Sequence, residues 1–78
     1  MHKKSLEREI NELSTMIESQ KKKLLCYAKR IIPQICMDDL FQPQDFLELE
    51  TDAEFRYEEG VLVGLETALA SLHAISRE

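Results

Sequence analysis

Between Thr51 and Ile75 the chain reads as one helix that is apolar on almost every side. A helix of that kind has to be covered on more than one face. The rest of the chain offers one further long helix and a connector. The fold class is therefore all-α: an antiparallel helical hairpin with an irregular or short-helical connector, completed by oligomerisation or by a partner. The expected bounds are about 5–32 for the first helix, 33–50 for the connector and about 52–76 for the second helix.

The start of the second helix reads as a capping box. In Thr51-Asp52-Ala53-Glu54 the Thr51 side chain would cover the amide of Glu54, and Glu54 would reach back. Asp52, Glu54, Glu58 and Glu59 add negative charge where the helix dipole favours it. Two stripes then run along this helix. Phe55, Leu62, Leu65, Leu69 and Leu72 form the bulky one; Tyr57, Val61, Gly64, Ala68, Ser71 and Ile75 form a smaller one beside it. Gly60, Gly64 and Ala68 recur at four-residue spacing. A glycine inside a helix costs about 0.8–1 kcal/mol relative to alanine. Close approach of a neighbouring backbone is one return for that cost, and simple tolerance is the other.

The first helix carries a different signal. Leu6, Ile10, Leu13, Ile17, Gln20, Leu24, Tyr27 and Ile31 follow one another at spacings alternating between four and three. That is an unbroken heptad seam, with Ile10, Ile17, Leu24 and Ile31 at a and Leu6, Leu13, Gln20 and Tyr27 at d. Gln20 is its one polar member. The seam serves either an internal partner helix or a second copy of the chain. Glu7 and Glu9 flank its start and Lys21, Lys23 and Arg30 its end, so self-pairing would favour the antiparallel arrangement. Leu25 and Ile32 widen the apolar stripe, which suits a bundle better than a two-stranded coil. Ser5 is the expected cap of this helix and Pro33 its expected stop.

The connector mixes acids with large apolar side chains. Ile35, Met37, Leu40 and Phe41 can line one side of a helical turn, and Pro43 interrupts it. A further turn over 44–49 is compatible with proline at a first helical position. Phe41 and Phe46 either cap the hairpin core or anchor a partner.

Size and charge bound the function. A chain of 78 residues makes one domain at most and buries only about 60% of its unfolded surface, so a partner or a staple is the usual remedy. Cys26 and Cys36 could form one bridge, but nothing in the spacing suggests a secreted framework. The net charge of −5 is unevenly spread. Residues 1–30 carry eight Lys/Arg against four Glu, whereas residues 31–59 set nine acids against Arg56. That acidic middle is either a solvated face or a docking surface for a basic partner. The start of the chain has basic residues with no apolar run behind them, so it does not read as a signal peptide. The stretch 61–75 is too short for a membrane span and holds Glu66 and His73. The expected location is cytoplasmic.

No residue set suggests chemistry, so the protein is expected to be no enzyme and to carry no cofactor. His2, Cys26, Cys36 and His73 show no metal-ligand spacing. No glycine-rich phosphate loop exists. Lys21-Lys22-Lys23 with Lys29-Arg30 is a basic patch, but the chain is acidic as a whole, and a nucleic-acid partner is the least favoured reading.

The run Leu65-Glu66-Thr67-Ala68-Leu69-Ala70-Ser71-Leu72-His73-Ala74-Ile75 is a small-residue-rich final helix containing a histidine. With the heptad-patterned first helix, it resembles the small helical-hairpin co-chaperones of type III secretion needle subunits. Those are cytoplasmic proteins of similar length, with two helices packed antiparallel. They help hold the needle protein together with a second, helical-repeat chaperone. The connector from Pro33 to Glu50 is longer than the tight turn of such a hairpin. The resemblance implies an adaptor or secretion co-chaperone that binds a helical partner. The residues themselves imply the coarser function, a protein-binding module acting through the two apolar stripes and the connector. The alternatives are a structural helical oligomer without a dedicated client and a small nucleic-acid-binding regulator.

Overall fold

The computed structural model describes residues 3–77, with side chains described from Leu6 onward. Their order is a long helix α1 (Lys3–Ile31), a 3-10 turn (Met37–Phe41), a second 3-10 turn (Pro43–Asp45), a short helix α2 (Leu47–Glu50) and a long helix α3 (Ala53–Ser76). At 1.5 Å per residue α1 is about 43 Å long and α3 about 36 Å. The molecule measures 45 × 19 × 17 Å, which is a hairpin of two helices side by side.

Ser5 does not begin the first helix, because Lys3 and Lys4 are already helical. Both are good helix formers, and neither proline nor glycine stands before Ser5 to stop the helix. The Ser5 side chain lies outside the described residues. At the other end the Ile32 amide still bonds the Ala28 carbonyl at 2.8 Å. Pro33 has no amide to continue the ladder, and the chain turns there.

The cap of α3 differs from the expected box. Asp52, not Thr51, is the N-cap, and its carboxylate accepts from the Phe55 amide at 2.8 Å. Thr51 closes α2 instead: its hydroxyl donates to the Leu47 carbonyl at 2.9 Å and its amide bonds the same carbonyl at 3.0 Å. Both Thr51 and Asp52 are good caps. The short helix upstream uses the threonine, which moves the cap one residue along.

The helices run antiparallel, since later residues of α1 meet earlier residues of α3. Gln20 contacts Glu58, and Tyr27 contacts Asp52. The closed end holds the core. Leu24, Ala28, Ile32, Ile35, Leu40, Leu49 and Phe55 form one buried cluster, with Phe55 and Leu49 fully enclosed. The connector is therefore a folded cap on the hairpin. Towards the open end the contact is one seam wide. Leu6 and Ile17 are buried, while Ile10 and Leu13 are half-buried, as are Leu62, Leu65, Leu69 and Leu72 of α3. The register set at Gln20 and Glu58 carries Leu13 to the level of Leu65 and Leu6 to that of Leu72.

The heptad seam is thus used inside the chain. Its a and d positions face α3, and a two-stranded coil with a second copy through that seam would require α3 to leave.

Candidate protein-interaction surface

Two polar ties fix how α3 lies against α1, and so decide which of its faces points outward. The first joins Gln20, the polar seam residue, to Glu58. The Gln20 side-chain amide donates to the Glu58 carboxylate at 2.8 Å and to the Glu58 main-chain carbonyl at 2.9 Å. Lys23 adds an ion pair to the same carboxylate at 3.3 Å. Glu58 is only 9% exposed. The Gln20 hydrogen bond, followed by Lys23, holds its carboxyl below the usual carboxylate range, against the opposing pull of burial.

The second tie joins Tyr27 to the N-cap of α3. The Tyr27 hydroxyl donates to Asp52 at 3.1 Å, on the same oxygen that receives the Phe55 amide. Desolvation, with the Glu54 and Asp52 carboxylates beside it, pushes the Tyr27 hydroxyl up to about 12. Every fully enclosed side-chain nitrogen or oxygen among the described residues has a hydrogen-bond partner.

What remains uncovered is the outside of α3. Between Gly60 and Ile75 its exposed residues include Gly60, Val63, Gly64, Thr67, Ala68, Ala70, Ser71, Ala74 and Ile75. Glu66 and His73 are the exposed titratable residues in this span, and at seven-residue spacing from Glu59 they share one edge of the helix. The rest of the outward surface carries no charge. Val63 is 55% exposed and Ile75 46%. The outside of α1 is the opposite, with Glu7, Arg8, Glu9, Glu12, Glu18, Lys22, Lys23, Lys29 and Arg30 all exposed. A surface helix ordinarily puts charged and polar residues on its solvent side; α1 does so throughout, whereas α3 from Gly60 to Ile75 carries charge along one edge only.

The glycines belong to this uncovered face. A Cβ added at Gly60 or Gly64 meets nothing within 4 Å. Close approach within the hairpin therefore does not explain them, because they lie away from α1. The small stripe of α3, with Gly64 and Ala68, is exposed, while Val61 is half-buried at its margin.

Beside this face lies an apolar cleft of about 200 Å³. Leu24 of α1 and Leu62 of α3 form its floor side, and Met37, Leu40 and Pro43 of the connector form its other wall. Phe41 and Val63 stand at its lips, and Lys21, Glu59 and Glu66 charge its rim. Phe41 is 70% exposed, whereas Phe46 packs against the buried cluster. The two connector phenylalanines thus take different places, one outside and one inside.

The basic patch is divided. Lys21 sits at the apolar cleft, bridged to Glu18 at 3.5 Å. Lys22, Lys23 and Arg30 line a separate cleft that also holds Glu54 and Glu58. Carboxylates between the cations work against binding a polyphosphate backbone. Cys26, in this second cleft, is exposed, and both cysteines are free. Among the described residues no three His, Cys, Asp or Glu side chains converge on a metal-sized site, and no helix is long and apolar enough to cross a membrane.

Of the residues expected to make contacts, Leu6, Ile17, Leu24 and Phe55 are buried in the hairpin, and Ile10, Leu13, Tyr27, Ile31, Leu65, Leu69 and Leu72 are half-buried along it. Gly64, Ala68 and Phe41 are exposed. Sequence reasoning did not single out Glu58 beyond its charge, or Val63. Glu58 was detectable, since one turn of α3 places it on the same side as Leu62 and Leu65. Compared with known protein families, curated proteins and solved structures, the chain matches none.

Proposed function

We propose that this chain is a non-enzymatic protein-interaction module, an adaptor or co-chaperone that holds a helical partner against the outward face of α3. One observation carries the reading: from Gly60 to Ile75 that face is exposed, made of small and apolar residues, and free of charge apart from one edge. Exposed apolar patches of this kind mark interaction sites in soluble proteins. Glycine and alanine at four-residue spacing let a second helix approach closely, a geometry best known from membrane helices. The co-chaperone assignment rests on the resemblance of the final helix and the heptad-patterned first helix to the secretion co-chaperones.

A second reading shares the observation. The same face can be covered by another copy, which makes the chain a homo-oligomer when no client is present. The test is affinity capture with Ala68→Glu. Ala68 is exposed, so the charge leaves the hairpin intact. The reading expects the variant to melt like the parent and to lose its partner. A variant that melts like the parent and keeps the same partner would remove this face from the function.

A further inference from the structure

The apolar cleft beside α3 has a defined charge pattern as well as a shape. Glu59 and Glu66 stand on its rim seven residues apart, two turns or about 10 Å along the helix. Glu59, half-buried, is bridged to Arg56 at 3.5 Å. Glu66 has no ion pair within 4 Å among the described residues. Lys21 is the one cation on the rim, and Glu18 already bridges it. The connector residues of the far wall, Met37, Leu40 and Pro43, are uncharged, so the lining carries two carboxylates against one ammonium. The cleft's field is therefore negative, and its interior is apolar.

Its size selects the occupant. At about 200 Å³ it is smaller than the roughly 300–1,000 Å³ of sites that enclose small molecules. It is suited to side chains projecting from a partner. Val63 belongs both to the cleft and to the uncharged outward face, so the two surfaces are continuous.

We infer that this cleft docks a cationic amphipathic helix. The helix places one or two large apolar side chains between Phe41 and Val63 and sets basic residues, two turns apart, over Glu59 and Glu66. The inference rests on the proposed interaction function and adds the chemistry of the partner: apolar anchors flanked by lysine or arginine. Charge complementarity of this sort quickens association and rejects acidic competitors, and the buried apolar anchor supplies most of the affinity.

The probe is a fluorescent peptide with lysines seven residues apart and leucines facing one side. Its control carries glutamate in place of lysine. Binding to the full chain is followed by anisotropy, and the bound site is mapped by amide chemical shifts. The lysine peptide should bind and the glutamate peptide should not. Phe41→Asp and Glu66→Lys should each weaken binding about tenfold. Leu47→Asp is the matched control, since Leu47 is 73% exposed but does not line the cleft. It should change binding less than about twofold, as expected of a residue outside the contact. If Phe41→Asp alters the circular dichroism, Val63→Asp takes its place. Equal losses for Phe41→Asp and Leu47→Asp would show that Phe41 makes no specific contact, and tighter binding by both would show diffuse charge attraction; either result would overturn the inference. Shifts confined to Gly60, Thr67, Ser71 and Ala74 would also overturn the cleft while leaving the outward face of α3 as the contact surface. No binding by the lysine peptide would overturn the cleft alone, because the Ala68→Glu capture judges the broader function separately.

Discussion

Gln20 grips Glu58 twice, once at the carboxylate and once at the main-chain carbonyl, at 2.8 and 2.9 Å. Together with the Tyr27–Asp52 hydrogen bond, this polar seam residue ties α3 to one axial register and one rotation. A slip by one turn would carry Glu58 away from Gln20 and leave its buried carboxylate without its main donor. Polar residues at seam positions are known to specify register at a cost in stability. Here the specification determines which side of α3 stays exposed.

The first expectation concerns this pair. Gln20→Leu should lower the melting midpoint by roughly 5–10 °C, because it removes a hydrogen bond to a buried charge. The Glu58 carboxyl lies below its ordinary range in the fold, so its stabilising share is present above that range and is lost as pH falls through the lowered value. The gap between the two proteins should therefore be widest near neutral pH and shrink in acid. Melting curves across pH check this, and a gap that grows in acid would rule it out.

Tyr27 gives the opposite sign. Its folded hydroxyl titrates at about 12, above the ordinary value near 10. The fold favours the protonated form, so this contribution is complete below about pH 10 and is lost as pH rises towards 12. Ultraviolet titration should show one of the two tyrosines ionising late in the folded chain and normally in urea. Tyr27→Phe should abolish the late component.

The connector phenylalanines should separate folding from binding. Phe46 packs on the core, so Phe46→Ala should destabilise the chain by about 2–3 kcal/mol, below the 3–5 kcal/mol of a fully buried phenylalanine. Phe41 is exposed, so Phe41→Ala should change stability by less than about 0.5 kcal/mol while weakening partner binding. Denaturant melts beside binding titrations test both, and equal destabilisation by the two would contradict the division.

Gly64 should respond in two directions. With open space around it, Gly64→Ala should stabilise the isolated hairpin by about 0.8–1 kcal/mol. Gly64→Leu should also melt no lower than the parent. It should nevertheless weaken assembly, because a bulky side chain on a packed contact face costs about 1–3 kcal/mol. Sedimentation across concentrations reads the assembly. Unchanged mass and partner binding in Gly64→Leu would mean that the glycine is merely tolerated.

Much of the fold was legible because its signals were periodic. The heptad from Leu6 to Ile31 marked the inner face of α1, and Leu62, Leu65, Leu69 and Leu72 marked that of α3. Pro33 marked the turn. What periodicity does not carry was missed. The choice between Thr51 and Asp52 as cap depended on a four-residue helix upstream whose sequence, Leu47-Glu48-Leu49-Glu50, has no helical period of its own. Whether Gly60 and Gly64 faced α1 or solvent depended on the rotation of α3. An apolar surround leaves that rotation open, and the Gln20–Glu58 and Tyr27–Asp52 ties fix it. The cleft was not visible either, because it joins connector residues to both helices through tertiary contacts. Phe41 and the neighbouring acids of the middle segment were its available traces.

The most direct test of the outward face is site-specific photo-cross-linking in the cell that makes the protein. A photoreactive side chain is placed at Ala68 on α3 or at Glu12 on α1, both exposed positions. Position 68 should give a discrete protein adduct, to a client or to a second copy, and position 12 should give none. Adducts at position 12 with none at position 68 would contradict the assignment of α3 as the contact surface.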